Sequence, residues 1–308
     1  MTGDSKLKLI FASLILSLVP ARNHYYDLYL SAARPPVKEV NAALPEPVGF
    51  YPVNLTGIPA PYTSAPGVVV LDADSKAILY QKNPDLKLLP ASTTKIVTGL
   101  IALEHYPLDQ VITIDSIGVV GQTMKLALGE RISVENLLYG LLVASANDAA
   151  AVLAQHYPGG EDAFIAAMNQ KVKDLNLTNT QFQNATGLDA YGHYTTAHDL
   201  GLIAAAAMAN PTFAKMVSTT GITVSDVDST IFHQLETINE LLGRVDGLSG
   251  VKTGWTELAG ECLVTSTQRD GRAVITVVLG SSDRFGESVK LIDWAFINHR
   301  WESSQAIH

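Results

Sequence analysis

Ser92 and Lys95 lie three residues apart in Pro90-Ala91-Ser92-Thr93-Thr94-Lys95, where a turn-rich segment meets the apolar run Ile96 to Leu103. On a helix this spacing puts both side chains on one face, with Cβ atoms roughly 5–6 Å apart. A serine hydroxyl is a weak nucleophile at its ordinary pKa. A lysine amine can take its proton only when burial or another cation lowers the pKa of the amine itself. Nucleophilic chemistry at Ser92 therefore requires a second cation. Taken alone, the stretch reads as an ordinary helix cap followed by a solvated lysine, because Ser and Thr satisfy the free N–H groups of a first helical turn.

Lys252-Thr253-Gly254 supplies such a cation, within the extended run Gly250 to Thr256. On a strand, Lys252 and Gly254 share a face and Thr253 points the other way unless the edge twists. Glycine permits close backbone approach, which suits a strand edge against which a peptide can pair. Ser145-Ala146-Asn147 places a hydroxyl and an amide two residues apart, in a turn expected between helices. Both can face one cleft from there, although either alone would serve to cap the following helix.

The elements that must position these residues follow from hydrophobic pattern and turn chemistry. Gly67 to Leu71 and Ala77 to Tyr80 are β-rich runs around the turn Asp72 to Lys76, and predict a hairpin. The helix after Ser92 should end near His105-Tyr106-Pro107, before a short strand at Val111 to Ile114. Ser133 to Leu142 carries Val134, Leu137, Leu138, Leu141 and Leu142 on one helical face, with Ser133 as N-cap. Alanine-rich Ala149 to Ala154, Glu161 to Leu175 and the almost wholly apolar Ala197 to Asn210 predict further helices, and Phe182 to Asp189 a turn-rich loop. Cys262 to Thr267 and Ala273 to Leu279 form a second hairpin about Arg269-Asp270-Gly271, and Leu291 to Ile297 a closing helix. The N-terminal hairpin and the C-terminal strands can share one mainly antiparallel sheet, an α+β arrangement.

The 308 residues, 47% of them hydrophobic, suffice for a full core. A formal charge of −9 argues against a nucleic-acid partner. Cys262 is the only cysteine, which excludes an intramolecular disulfide, and its strand-like surroundings predict a buried, inert thiol. Lys6 and Lys8 precede the uncharged run Leu9 to Val19 and then Pro20-Ala21-Arg22. This is the layout of a secretory signal over 1–21, too short for the roughly 20-residue span of a membrane helix but able to act as an uncleaved anchor. The proline-rich stretch 22–66 reads as a semi-rigid linker that could also wrap the domain surface. The ordered domain is then 67–301, with a short tail at 302–308.

In this order and on these element types, the three stretches resemble the serine D-Ala-D-Ala carboxypeptidases of the low-molecular-mass penicillin-binding proteins, the peptidase S11 family, and more widely the penicilloyl serine transferases. The framing runs Leu89 to Lys95, Ala144 to Ala149 and Thr256 to Gly260 carry the likeness too. It implies a penicillin-binding protein/β-lactamase-like fold, with helices on both faces of the sheet and an all-helical subregion. By the same resemblance, Ser92 is acylated, Lys95 is its base, and Lys252 lowers the pKa of Lys95. Ser145 relays a proton to the leaving amine, Asn147 holds the substrate's peptide carbonyl, and the N–H groups of Ser92 and Trp255 form an oxyanion hole. Thr253 and Arg284 take the substrate carboxylate, beside the strand edge of Lys252 and Gly254.

The resemblance further implies peptidoglycan stem peptides as substrates, β-lactams as acylating inhibitors, no metal or organic cofactor, and export to the periplasm or the outer face of the cytoplasmic membrane. Membrane-anchored relatives carry a β-rich domain and an amphipathic helix after the catalytic domain. This sequence stops shortly after Trp301, so anchoring is expected only from the N-terminal segment. A DD-endopeptidase or transpeptidase remains the alternative. A β-lactamase is disfavoured because no glutamate falls between Glu161 and Glu236, and an inactive cell-wall-binding scaffold because the motif set is intact. Ala146 departs from the aspartate of the lactamases but suits the carboxypeptidases. His193 and His198 read as structural.

Overall fold

A computed structural model of the protein describes residues 49–116 and 118–303. The signal-like segment 1–21, the first part of the proline-rich stretch and residues 304–308 lie outside the described residues. The centre is a five-stranded antiparallel sheet built from β2 (Gly67–Asp72), β3 (Ile78–Lys82), β8 (Leu248–Thr256), β9 (Gly260–Arg269) and β10 (Arg272–Ser281). Its order, β3-β2-β10-β9-β8, joins the N-terminal hairpin to the C-terminal strands and leaves β8 at an edge.

Strand β2 is buried at every position, and its side chains alternate between two cores. Val68 and Val70 pack with Leu263, Val274 and Val278 under α7 (Arg284–Asn298), through Leu291, Ile292 and Ala295. Val69 and Leu71 face the larger cluster with Ile275, Val277 and the helix α5 (Ala197–Met208). The same cluster unites α1 (Lys95–His105), α2 (Val134–Leu142), α3 (Asn147–Gln155), α4 (Gly160–Asp174) and α6 (Pro211–Val217) into an all-helical subregion. Two small hairpins complete the helical side: β4 (Val111–Thr113) with β5 (Arg131–Ser133), and β6 (Gly221–Ser225) with β7 (Phe232–Glu236).

Local chemistry sets the helix starts. Ser133 Oγ accepts the Asn136 N–H at 3.3 Å, as its N-cap position predicts. The Asn210 side chain accepts the Thr212 and Phe213 N–H groups, with Pro211 in the first turn of α6. Helix α7 begins at Arg284, well before the expected Leu291, because Asp283 caps it through the Gly286 N–H at 2.9 Å.

Over residues 50–66 the expected linker is replaced by a strand and a strap held on the domain. β1 (Phe50–Asn54) pairs antiparallel with β11 (His299–Ser303). Proline forbids a helix here but not an edge strand, and Pro52 sits within β1. Further along, Trp294 Nε1 donates to the Ile58 carbonyl at 2.9 Å, and Thr63 and Ala65 are buried. The Glu287 carboxylate accepts the Ser64 and Ala65 N–H groups and, at 2.6 Å, the Ser281 hydroxyl. The expected tail is likewise shortened, since Glu302 and Ser303 belong to β11. Trp301 Nε1 donates to Asp72 Oδ2 at 2.6 Å, which locks β11 onto the turn of the β2–β3 hairpin.

Candidate active site

Ser92 lies in a 3-10 turn, Ala91–Thr94, and α1 starts only at Lys95. A 3-10 turn eclipses side chains i and i+3, so the pair is closer than on the α-helix its spacing suggests. The fully buried Lys95 Nζ reaches Ser92 Oγ at 2.9 Å, Asn147 Oδ1 at 2.6 Å and the Thr186 carbonyl at 2.6 Å. These three acceptors match the three donors of an ammonium. In the neutral amine one position becomes a lone pair, and of the three partners only the Ser92 hydroxyl has a hydrogen to give it. The geometry thus directs loss of the lysine proton toward activation of Ser92.

Burial, and after it the charge of Lys252, hold the Lys95 pKa well below the usual lysine value, against a smaller opposing pull from Asp148. Lys252 is itself buried and donates to the Thr253 carbonyl at 3.0 Å. Burial, then Arg284, push its pKa down to about 7. Arg284 Nη1 donates to the Gly254 carbonyl at 2.8 Å, so three cations line up from the start of α7 to the serine. Thr253 Oγ1 and Arg284 Nε are buried without a partner, two donors left for a ligand.

Close backbone approach brings the edge strand to the turn. A Cβ on Gly254 would lie 3.0 Å from the Ser92 nitrogen and 3.1 Å from the Pro90 carbonyl oxygen. Trp255 follows directly, with its side chain 62% exposed at the rim. From the other side Gly187, at φ +85°, packs so tightly that a Cβ would meet the Ala91 carbonyl oxygen at 1.9 Å. The loop containing it is tied to the end of β8 by Thr256 Oγ1, which donates to Asp189 Oδ1 at 2.8 Å.

Asn147 opens α3 and is held by two carbonyls of the 120–126 segment. Its N–H donates to the Gln122 carbonyl at 2.7 Å, and its Nδ2 to the Val120 carbonyl at 2.7 Å. With Nδ2 so engaged, Oδ1 must face Lys95, which fixes the amide orientation. Asp148 anchors the same segment by accepting the Met124 N–H at 3.0 Å and the Leu126 N–H at 3.1 Å. Ser145 is buried in the turn before Asn147 at φ +58°, and its hydroxyl makes no hydrogen bond to either lysine among the described residues.

Ser92, Lys95 and Asn147 are therefore in direct contact, Lys252 acts through its field, and Thr253, Gly254, Trp255 and Arg284 line the adjoining edge. Thr186, Val120, Gln122 and Asp148 escaped the sequence analysis. The Asn184-Ala185-Thr186-Gly187 turn is legible, since Asn184 Oδ1 accepts the Thr186 and Gly187 N–H groups, but its place against Lys95 is purely tertiary. His193 is structural: its Nδ1 accepts the Gln183 N–H at 3.1 Å, so the neutral ring donates from Nε2 to Thr94 Oγ1 at 2.9 Å. Burial lowers its pKa to about 4. Cys262 is buried behind the turn, and burial raises its pKa to about 11, as suits an inert thiol.

Fold and site together define the class of active-serine DD-peptidases of the penicillin-binding type. Within that class the chain belongs to the D-alanyl-D-alanine carboxypeptidase family, peptidase S11, whose model matches residues 56–283. It is 33% identical over 242 residues to the D-alanyl-D-alanine carboxypeptidase DacF of Bacillus subtilis, covering 75% of this chain and 62% of that protein's length. Similarity to the D-alanyl-D-alanine endopeptidase of Pseudomonas aeruginosa is 33% identity over 256 residues, 80% of this chain and 82% of that one. Among solved structures, the Streptomyces K15 DD-transpeptidase superposes with a TM-score of 0.74 at 32% identity, covering 78% of this chain and all of that one.

Proposed function

We propose that this protein is a serine D-alanyl-D-alanine carboxypeptidase that removes the terminal D-alanine from peptidoglycan pentapeptides, is acylated by β-lactams, and works outside the cytoplasm after export. The observation that carries this reading is Lys95, a fully buried amine with a lowered pKa within 2.9 Å of Ser92 Oγ. Lys95 takes the serine proton as Ser92 Oγ attacks the carbonyl of the penultimate D-alanine. The developing oxyanion is met by the N–H groups of Ser92 and Trp255, a stabilisation typically worth about 3 kcal/mol per donor. Ser145 passes a proton to the departing amine while Asn147 holds the substrate's peptide carbonyl. The terminal carboxylate sits on the two unpartnered donors, Thr253 Oγ1 and the Arg284 guanidinium, which suits a planar anion. Water then hydrolyses the acyl-enzyme: Lys95, neutral again once its proton has passed through Ser145 to the amine, takes a proton from the water and hands it to Ser92 Oγ as the ester bond breaks.

A fluorescent penicillin should label the wild-type protein and not Ser92→Ala. Mass spectrometry of pentapeptide-bearing muropeptides should show loss of one terminal D-alanine. Persistence of the intact pentapeptide alongside normal labelling would overturn the substrate assignment.

A further inference from the structure

Two consecutive residues at the start of α3 read one stretch of backbone, the 120–126 segment. Asn147 takes its first half through the carbonyls of Val120 and Gln122, and Asp148 takes its second half through the N–H groups of Met124 and Leu126. Asp148 is buried, and its carboxylate accepts three N–H groups: Oδ1 takes those of Met124 and Ala149, each at 3.0 Å, and Oδ2 that of Leu126 at 3.1 Å. Among the described residues no cation pairs with it, so backbone donors in the segment and in the first turn of α3 hold this anion.

The grip bears on Lys95 through Asn147. Because the Val120 carbonyl engages Asn147 Nδ2, Oδ1 is left to accept from Lys95 at 2.6 Å. The fit is close, since a Cβ on Gly121, at φ +88°, would stand 2.8 Å from Nδ2. A segment that slips from Asp148 takes the Val120 carbonyl with it and frees the amide to turn over. Nδ2 would then donate to the neutral amine and compete with the Ser92 hydroxyl for its one lone pair. The carboxylate also acts through space: its charge raises the Lys95 pKa, against the lowering by burial and by Lys252. A base that is too weak serves as poorly as one that stays protonated.

We propose that Asp148 is a positioning residue for acylation: its carboxylate pins the segment that orients Asn147, and its charge opposes that of Lys252 at the Lys95 amine. The inference rests on the reading of Lys95 as the base for Ser92. Two charges bear directly on that amine, Lys252 from β8 and Asp148 from α3. Arg284 lies behind Lys252 and acts on it. His193, held neutral, bonds to Thr94, and Asp189 accepts from Thr256. Glu104 near the end of α1 pairs with Lys171 of α4, and Asp199 of α5 accepts from Asn179 and Thr180 beside His198. Lys125 on the gripped segment, Glu135 and Tyr139 on α2 and Lys215 on α6 bond to neither Lys95 nor Asp148.

The pH–rate profile of acylation by a fluorescent penicillin tests this, and trimming of peptides plays no part in the readout. Asp148→Asn should lower the plateau rate by roughly ten- to a hundredfold, the scale of a displaced catalytic geometry. It should also move the acid limb to lower pH, opposite to Lys252→Gln. Gly121→Ala, which presses on Asn147 and leaves the carboxylate in place, should lower the plateau by about tenfold without moving the limb. Where Asp148→Asn does not fold, Asp148→Ser carries the same expectation, because its hydroxyl still accepts one N–H and its smaller volume admits water. A limb unmoved or raised in the Asp148 variants, or failure of both to fold, would overturn the proposal, since a purely structural carboxylate does not shift the limb. A plateau within about threefold of wild type in either the Asp148 or the Gly121 variant would overturn it too. Wild-type protein that escapes labelling, or Ser92→Ala that keeps it, would instead sink the reading of Ser92 and Lys95.

Discussion

Lys95 and Glu287 are both buried ionisable side chains, and the protein treats them in opposite ways. Around Lys95 the hydrogen-bond partners are neutral, burial is reinforced by Lys252, and the pKa falls, which favours the uncharged amine. Around Glu287 burial again disfavours charge, but hydrogen bonds from Ser281, Ser64 and Ala65 outweigh it and the pKa falls, which favours the carboxylate. The same desolvation is left uncompensated where a base is needed and is compensated where an anchor is needed. Chemistry and stability thus occupy separate buried groups, and substitutions should separate them.

The largest effect is expected at Lys95. Lys95→Met should slow penicillin acylation by about 10²–10⁴-fold, the usual range for loss of a proton-transfer group, while thermal stability holds or rises. A drop in stability of more than about 2 kcal/mol would show that the lysine is an anchor after all. Glu287→Gln is the converse: unfolding in denaturant should reveal a loss of about 2–3 kcal/mol, because an acceptor-only group is replaced by one with its own N–H donors facing the strap. Acylation by the folded protein should change less than about threefold.

The cation ladder gives the next effect. The proposed base, Lys95, can act only when neutral, so acylation should rise with pH through its lowered pKa. Lys252→Gln removes a positive charge that favours the neutral amine, so the acid limb of the pH–rate profile should move upward. A downward movement would contradict the coupling. The smallest effect concerns His193, which is held neutral with a pKa near 4. Below the usual histidine pKa the unfolded chain binds a proton that the native ring refuses, so stability is lost as pH falls from 6.5 toward 4. Wild-type protein should lose about 1 kcal/mol from this group between pH 7 and 5.5, and His193→Asn should show a correspondingly shallower decline in unfolding experiments.

Much of this was written in local pattern. The capped α2, the apolar α5, the β2–β3 hairpin and the β9–β10 hairpin each follow from a period or a turn signal confined to a few residues. The need for a second cation followed from serine chemistry alone, and Lys252 does lower the Lys95 pKa, although burial contributes more. What stayed hidden depends on partners distant in sequence. β1 forms because β11, some 250 residues later, offers a backbone edge, and no composition of its own announces it. Thr186 reaches Lys95, and Val120 and Gln122 reach Asn147, through main-chain carbonyls, which every residue type has. The 3-10 form of the Ser92 turn, which opens on the left-handed Ala91 at φ +49°, sits between Gly187 and Gly254 closing on both sides.

The pairing of β1 with β11 also has a mechanical meaning. Phe50 faces Ser303 at the open end of the ladder and Asn54 faces His299 at the inner end. Tension applied through residue 49 would therefore peel the ladder one pair at a time, as a zipper opens, and would then have to break the Trp294–Ile58 bond and the Glu287 grip on Ser64 and Ala65. None of those contacts involves the Ser92 turn or the β8 edge. A pull from the N-terminal side is taken up by a sacrificial strap, and the cleft at Ser92 is shielded from the load.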